Sequence, residues 1–208
     1  MDGVFMFKFQ KYLLLMVVLA AVMLGTDLIA DGKELHDSLI RLHVVGASDE
    51  DHDQWVKLQV RDAVNDWLQD RMKDLETVEE ARNYLDDHLV ELEAVANATL
   101  EHYDMADRAT VSFLEEAFPV RHYETFSLPS GVYYSLRIRI GEAQGKNWWC
   151  VVFPTLCLGA TREEFRDTAV SAGFDRDLSG ALSGDEQYEI RFFLLDCLGM
   201  LQNFFHRS

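Results

Sequence analysis

Basic residues are scarce in this chain: 19 lysines and arginines stand against 36 aspartates and glutamates, a net charge of −17 over 208 residues. That balance excludes nucleic-acid binding, because such affinity depends on Lys and Arg displacing counterions from phosphates, and it repels anionic headgroups as well. Cysteine is scarce too. Cys150, Cys157 and Cys197 allow at most one intramolecular disulfide, so the fold rests on its core and not on a disulfide framework. No internal repeat or low-complexity tract is present. With 49% hydrophobic and 12% aromatic residues, the chain can bury one sizeable core, and one domain is the expectation.

One uninterrupted apolar run stands out, Tyr12 to Leu24, preceded by Lys8 and Lys11 and broken by Gly25-Thr26-Asp27. It has the build of a secretory signal peptide or signal-anchor occupying residues 1–30, with 31–208 as the exported domain. Ala30 is paired with Leu28 where an A-x-A cleavage site needs a second small residue. A transmembrane reading needs about 20 apolar residues, with Thr26 and Asp27 tolerated near the outer interface. Residues 31–208 keep 17 basic against 34 acidic side chains. The acidity thus belongs to the exported domain, where it serves solubility or suits a cation or a basic or apolar protein surface.

Ile40, Leu42 and Val44 alternate with Arg41 and His43, which predicts a half-buried strand. Ser48 with Asp51 has the capping-box pattern before a helix carrying Val56, Val60, Val64, Trp67 and Met72. Thr77 with Glu80 repeats it before a second long helix reaching about residue 103. The period then changes to two: Val111 and Phe113, then Tyr134, Leu136, Ile138 and Ile140, then Trp148 to Phe153 after a Gly141–Asn147 loop that reads as a hairpin. Thr161 to Ala172 is weakly helical. Gln187 to Phe205 is strongly so, with Ile190, Phe193, Leu194, Cys197, Leu198, Leu201 and Phe204 on one face, predicted to pack inward. The expectation is an α+β fold: a small, mainly antiparallel sheet covered on one face by two long helices and a C-terminal helix, preceded by a hydrophobic export helix.

Several residues are candidates for function. Arg41, His43, Asp53, Lys57, Arg61 and Asp62 form either a partner-facing patch or an ion-pair network fixing the helix on the sheet, since Asp53, Lys57 and Arg61 follow at i,i+4. Trp148 and Trp149 point to opposite faces of one strand, so one can be core while the other anchors a partner. Cys150 and Cys157, with Pro154 between them, can close a small disulfide loop. The rival reading makes Cys150 a thiolate nucleophile with His43 as its base, a secreted thiol hydrolase, although no orienting third group or oxyanion hole is evident. Between residues 175 and 186, Asp175, Asp177, Ser179, the Ala181 carbonyl, Ser183 and Glu186 fall at the ligand positions of a twelve-residue calcium loop with Gly180 at the sharp turn. An acidic Gly/Ser linker gives the same pattern, and a calcium-stabilised envelope-binding module is the corresponding function.

Two stretches carry a family pattern. One is Ile40-Arg41-Leu42-His43-Val44-Val45 with Ser48-Asp49, Asp53-Gln54, Lys57 and Val60 to Val64; the other is Asn147-Trp148-Trp149-Cys150-Val151-Val152-Phe153-Pro154 with Leu156-Cys157. Together with Leu128 to Tyr133, Arg137 to Gly141 and the tail Tyr188 to Leu195, they resemble stage II sporulation protein R. Gly46-Ala47 and Thr155 depart from that pattern, and 161–186 has no counterpart in it. The resemblance implies a non-enzymatic, cofactor-independent signal sent across the forespore membrane into the intermembrane space, or anchored there. Its partner would be the membrane-embedded aspartic protease of the mother cell that processes the sigma-E precursor. The first strand and helix with Asn147, Trp148 and Trp149 would then be the partner-binding candidates.

Overall fold

The computed structural model describes residues 2–154, 170, 174, 176–184 and 188–206. Its central strand, β1 (Ile40–Val45), is buried at all six positions, Arg41 and His43 included. The expected half-exposed strand is absent because helices cover both faces of the sheet. On the Leu42 face lie α2 (Asp51–Met72), α3 (Val78–Asp87) and α4 (Leu89–His102). On the Arg41 face lie the end of α1 (Asp2–Ser38), α5 (Arg176–Leu182) and α6 (Glu189–His206).

The strand order is β2 (Ala109–Phe118), β5 (Gly131–Ile140), β1, β6 (Asn147–Phe153). β5 is antiparallel to β2 but parallel to β1, and β6 is antiparallel to β1. The sheet is therefore mixed, not mainly antiparallel, because β1 slots between β5 and β6. The hairpin expected across Gly141–Asn147 does not form for the same reason. That loop crosses the end of β1, where the Gln144 and Gly145 amides donate to the carbonyls of Ala47 and Gly46. Gly145 is required here, since a Cβ would run into the Ser48 carbonyl. A short ribbon, β3 (Arg121–His122) with β4 (Ser127–Leu128), lies in the connection from β2 to β5.

The helical layer on the Leu42 face follows its sequence periodicity. Val56, Val60, Val64, Leu68 and Met72 of α2, with Leu85, Leu92, Ala96 and Leu100 of α3 and α4, pack on Leu42, Val44, Leu136 and Ile138. Burying one such aliphatic side chain is worth about 1.5–3 kcal/mol, against about 1 kcal/mol for a helix cap. Burial therefore holds the layer, and caps set its edges. The Thr77–Glu80 capping box forms. The Ser48–Asp51 box does not, because α2 starts too late for Ser48 to be its N-cap: Glu50 takes that place, and Ser48 Oγ donates to Asp53 (2.6 Å) instead. The second long helix is broken at His88 into α3 and α4.

α6 is turned over relative to the sequence reading. Leu195 and Gly199 are its buried residues. Asp196 accepts hydrogen bonds from the Ser130 amide and hydroxyl, Asn203 Nδ2 donates to the Phe118 carbonyl, and Arg191 pairs with Asp31 of α1. A Cβ at Gly199 would collide with the Ser130 carbonyl, so the helix backbone lies directly on the turn before β5. This contact fixes the rotation and sends Ile190, Phe193, Leu194, Leu201 and Phe204 outward, all 40–76% exposed. Cys197 is half-buried, not core.

α1 runs unbroken through the 30/31 boundary drawn from sequence. Leu28 and Leu35 join the core on the Arg41 face, while Tyr12 to Leu19 are exposed. Among the described residues no helix is long and apolar enough to cross a membrane, and an apolar export helix is not shown. The helix expected over 161–172 lies outside the described residues apart from Val170.

Thr77→Ala removes the acceptor for the Glu80 amide (3.2 Å). It is expected to lower the unfolding free energy by about 1 kcal/mol, seen as a lower urea midpoint at unchanged slope; an unchanged midpoint would show that the cap contributes nothing.

Candidate functional site

Strand alternation divides the candidate residues into two groups. Pairing of Val44 with Trp148, His43 with Trp149 and Leu42 with Cys150 places Trp149 on the Arg41 face and Trp148 and Cys150 on the Leu42 face. Arg41, His43, Asn147 and Trp149 come together on the first; Asp53, Lys57, Arg61, Asp62 and Trp148 line the second.

On the Arg41 face the first group is interior. Arg41 is fully buried; its Nη2 donates to Tyr123 Oη at 2.9 Å, and its Nε and Nη1 have no hydrogen-bond partner among the described residues. Its guanidinium carbon lies 4.1 Å from the Phe118 ring centroid and 5.0 Å from that of Tyr133. An unpaired buried cation costs several kcal/mol, and desolvated aromatic faces offset about 2 kcal/mol of that. Burial pushes the Tyr133 hydroxyl well above the usual tyrosine range, against the opposing charge of Arg41. His43 Nδ1 lies 2.9 Å from Glu116 Oε1 and Nε2 lies 2.9 Å from Asn147 Oδ1, and the ring stacks on Trp149 with centroids 5.5 Å apart. Asn147 can offer its carbonyl or its amide nitrogen, so both ring nitrogens keep partners in either charge state. Arg121 covers Trp149 at 3.6 Å.

Glu116, Tyr123, Phe118 and Arg121 complete this cluster and were not among the sequence candidates. A half-buried glutamate in an alternating strand needs a partner, and that was the available signal for Glu116. Burial pulls its carboxyl upward, but the hydrogen bond and charge of His43, with Ser135 and Arg137, outweigh it and hold Glu116 below the usual carboxylate range.

The second group runs from the start of α2 to its middle, facing the Trp148 edge. Lys57 is buried; its Nζ donates to Gln54 Oε1 (2.6 Å) and the Lys146 carbonyl (2.9 Å), not to Asp53. Burial pushes Lys57 below the usual lysine range, with Asp49 opposing and Arg61 and Lys146 adding to the shift. Asp49 in turn accepts from the Lys146 amide at 2.7 Å. These bonds clamp the Gly46–Asp49 segment to the loop before β6. Arg61 lies 4.4 Å over the Trp148 ring and pairs with Asp62 at 2.6 Å. Trp148 is 38% exposed, with the Arg61–Asp62 pair beside it at the surface.

The thiol-hydrolase dyad is not assembled, because alternation puts Cys150 and His43 on opposite sheet faces. Cys150 is disulfide-bonded and Cys197 carries a free thiol, while Cys157, the other half of the expected pair, lies outside the described residues. Arg176–Leu182 is helix where the calcium pattern requires an open loop. Asp177 there meets Tyr188 (3.1 Å) and Arg191 (3.3 Å), Ser179 and Ser183 are buried, and Asp175 and Glu186 lie outside the described residues.

The depressed Glu116 pKa gives a signed pH dependence. A carboxyl held below its unfolded value contributes stability that is present above that value and is lost as pH falls through the folded one. Relative to the parent, Glu116→Gln is therefore expected to lose stability near neutrality, with the gap closing below about pH 4. Urea midpoints of both chains across pH 3–7 test this, and a gap independent of pH would contradict it.

No solved structure matches the chain. A curated relative, stage II sporulation protein R of Bacillus subtilis (strain 168), is 39% identical over 121 residues, covering 58% of this chain and 54% of that protein. The chain thus matches about half of that relative's length. A family model described as stage II sporulation protein R matches residues 36–163, which hold β1 to β6 and both residue groups around the tryptophan pair. With that match over more than half of its length, the chain belongs to the stage II sporulation protein R family.

Proposed function

We propose that this protein is the outside-acting signal of sporulation that activates the membrane-embedded aspartic protease processing the sigma-E precursor. The reading places it, after export across the forespore membrane, in the intermembrane space or held there by its N-terminal segment. The proposed activity is a binding event and requires no cofactor. What supports it is membership of a sporulation family together with the disposition of the tryptophan pair. Trp149 is spent inside the Arg41–His43 cluster, whereas Trp148 stays 38% exposed beneath Arg61. A tryptophan with a guanidinium on its face is the composition of an interface anchor. The clamp from Lys57 to the Lys146 carbonyl holds both flanks of that surface before any partner arrives, which lowers the ordering cost of binding.

The test is cleavage of the sigma-E precursor in vegetative cells that express it with the protease, with and without this chain. Cleavage is expected only when the exported chain is present. Trp148→Ala and Arg61→Ala are each expected to reduce it by on the order of tenfold at unchanged levels of folded protein. Trp149→Ala is expected to act through loss of folded protein instead. Full processing by the Trp148→Ala chain would remove that residue from the interface, and no processing with the parent chain, despite confirmed export, would reject the signalling role.

A further inference from the structure

α6 is built inside out. Its polar residues Arg191, Asp196 and Asn203 are turned toward the protein and engaged there, while its most regular apolar stripe faces solvent. Ile190 is 76% exposed, Phe193 63%, Leu194 40%, Leu201 55% and Phe204 68%. Flanking Met200 and Phe205 are exposed as well. A water-soluble surface rarely carries a contiguous patch of this kind without a use.

We propose that this stripe of α6 seats on a lipid bilayer, an inference that goes beyond the signalling reading and stands without it. Three observations select lipid over a protein. First, the apolar surface continues onto α1, which is packed on α6 through the Asp31–Arg191 pair and the Gly32–Leu198 contact; its Ile29 is 60% exposed and its residues Tyr12 to Leu19 are exposed too. Second, protein interfaces surround an apolar centre with a polar rim, whereas Arg191, Asp196 and Asn203 of α6 are engaged inward, which leaves Glu189, Gln202 and His206 at its two ends and last turns as its exposed polar residues. An apolar helix face lying in the headgroup boundary needs no polar partners. Third, charge is segregated. Residues 51–102, the helices on the opposite side of the sheet, hold 14 acidic against 5 basic side chains, whereas residues 189–206 hold two acidic and one basic. Seating on α6 thus turns the strongly acidic layer away from the headgroups and toward the aqueous side.

The experiment introduces one reporter tryptophan into the full chain bound to phosphatidylcholine vesicles. Phe193→Trp and Phe204→Trp place it on the stripe; Val90→Trp places it on α4, where Val90 is 81% exposed. Emission is compared with that of the parent, whose four tryptophans supply the background. Brominated acyl chains are expected to remove most of the emission gained in the two α6 variants, at every protein-to-lipid ratio, and none of that gained at position 90. Gained emission at 193 and 204 that brominated lipid leaves intact overturns the proposal. Shielding that disappears as the chain is diluted in lipid overturns it as well and assigns the stripe to a second copy. Equal quenching at position 90 overturns the orientation.

Discussion

A fully buried guanidinium governs this architecture. Arg41 is the second residue of a six-residue strand with no exposed position, and among the described residues no carboxylate pairs with it. It is tolerated because Phe118 and Tyr133 present ring faces and Tyr123 presents its hydroxyl. Those three residues belong to β2, the β3–β4 ribbon and β5, so accommodating one side chain fixes three pieces of chain around β1. His43, two residues on, repeats the demand one step along the strand and is met by Glu116, Asn147 and the ring of Trp149. The whole Arg41 face is thereby assembled around two basic side chains that have to be satisfied in the interior.

That constraint decides which part of the family motif is available to a partner. Adjacent residues of β6 point to opposite faces, so committing Trp149 to His43 and Arg121 leaves Trp148 on the side of α2. There it meets Arg61, and the Lys57 and Asp49 bonds to Lys146 hold the loop that leads into β6. The candidate surface is thus the rim of the helical layer, while the interior cluster acts as its foundation. The C-terminal helix lies on the other side of the sheet with a different surface chemistry, apolar and nearly neutral where α2 to α4 are acidic.

Most local features were legible in the sequence, the Ser48–Asp51 box apart, and non-local ones were not. The Thr77–Glu80 cap, the apolar spacing of α2 and the alternation of β5 depend on neighbours within a few residues, and each formed. The insertion of β1 between β5 and β6 depends on pairing across roughly a hundred residues, which no period encodes, so both the hairpin and the mainly antiparallel sheet failed. The opposite faces of Trp148 and Trp149 followed from alternation alone, but that Trp149 is the interior one depends on His43 and Arg121. α6 was misread because it carries two apolar stripes. The weaker one is selected by Gly199, which alone permits contact with the Ser130 carbonyl, and by Asp196 and Asn203, whose partners lie in distant segments. A glycine and two polar residues aligned on one face were the available signal. Within the calcium pattern, Arg176–Leu182 forms a helix, with Leu178 and Leu182 drawn into the core.

The most direct test of the account is photocrosslinking from position 148 in cells where the sigma-E precursor is being processed, with position 90 on the acidic layer as the comparison. The account predicts a crosslink from position 148 to the membrane-embedded protease and none from position 90. Crosslinking from position 90 alone, while processing proceeds, would contradict it by placing the partner on the acidic helices instead of the tryptophan edge.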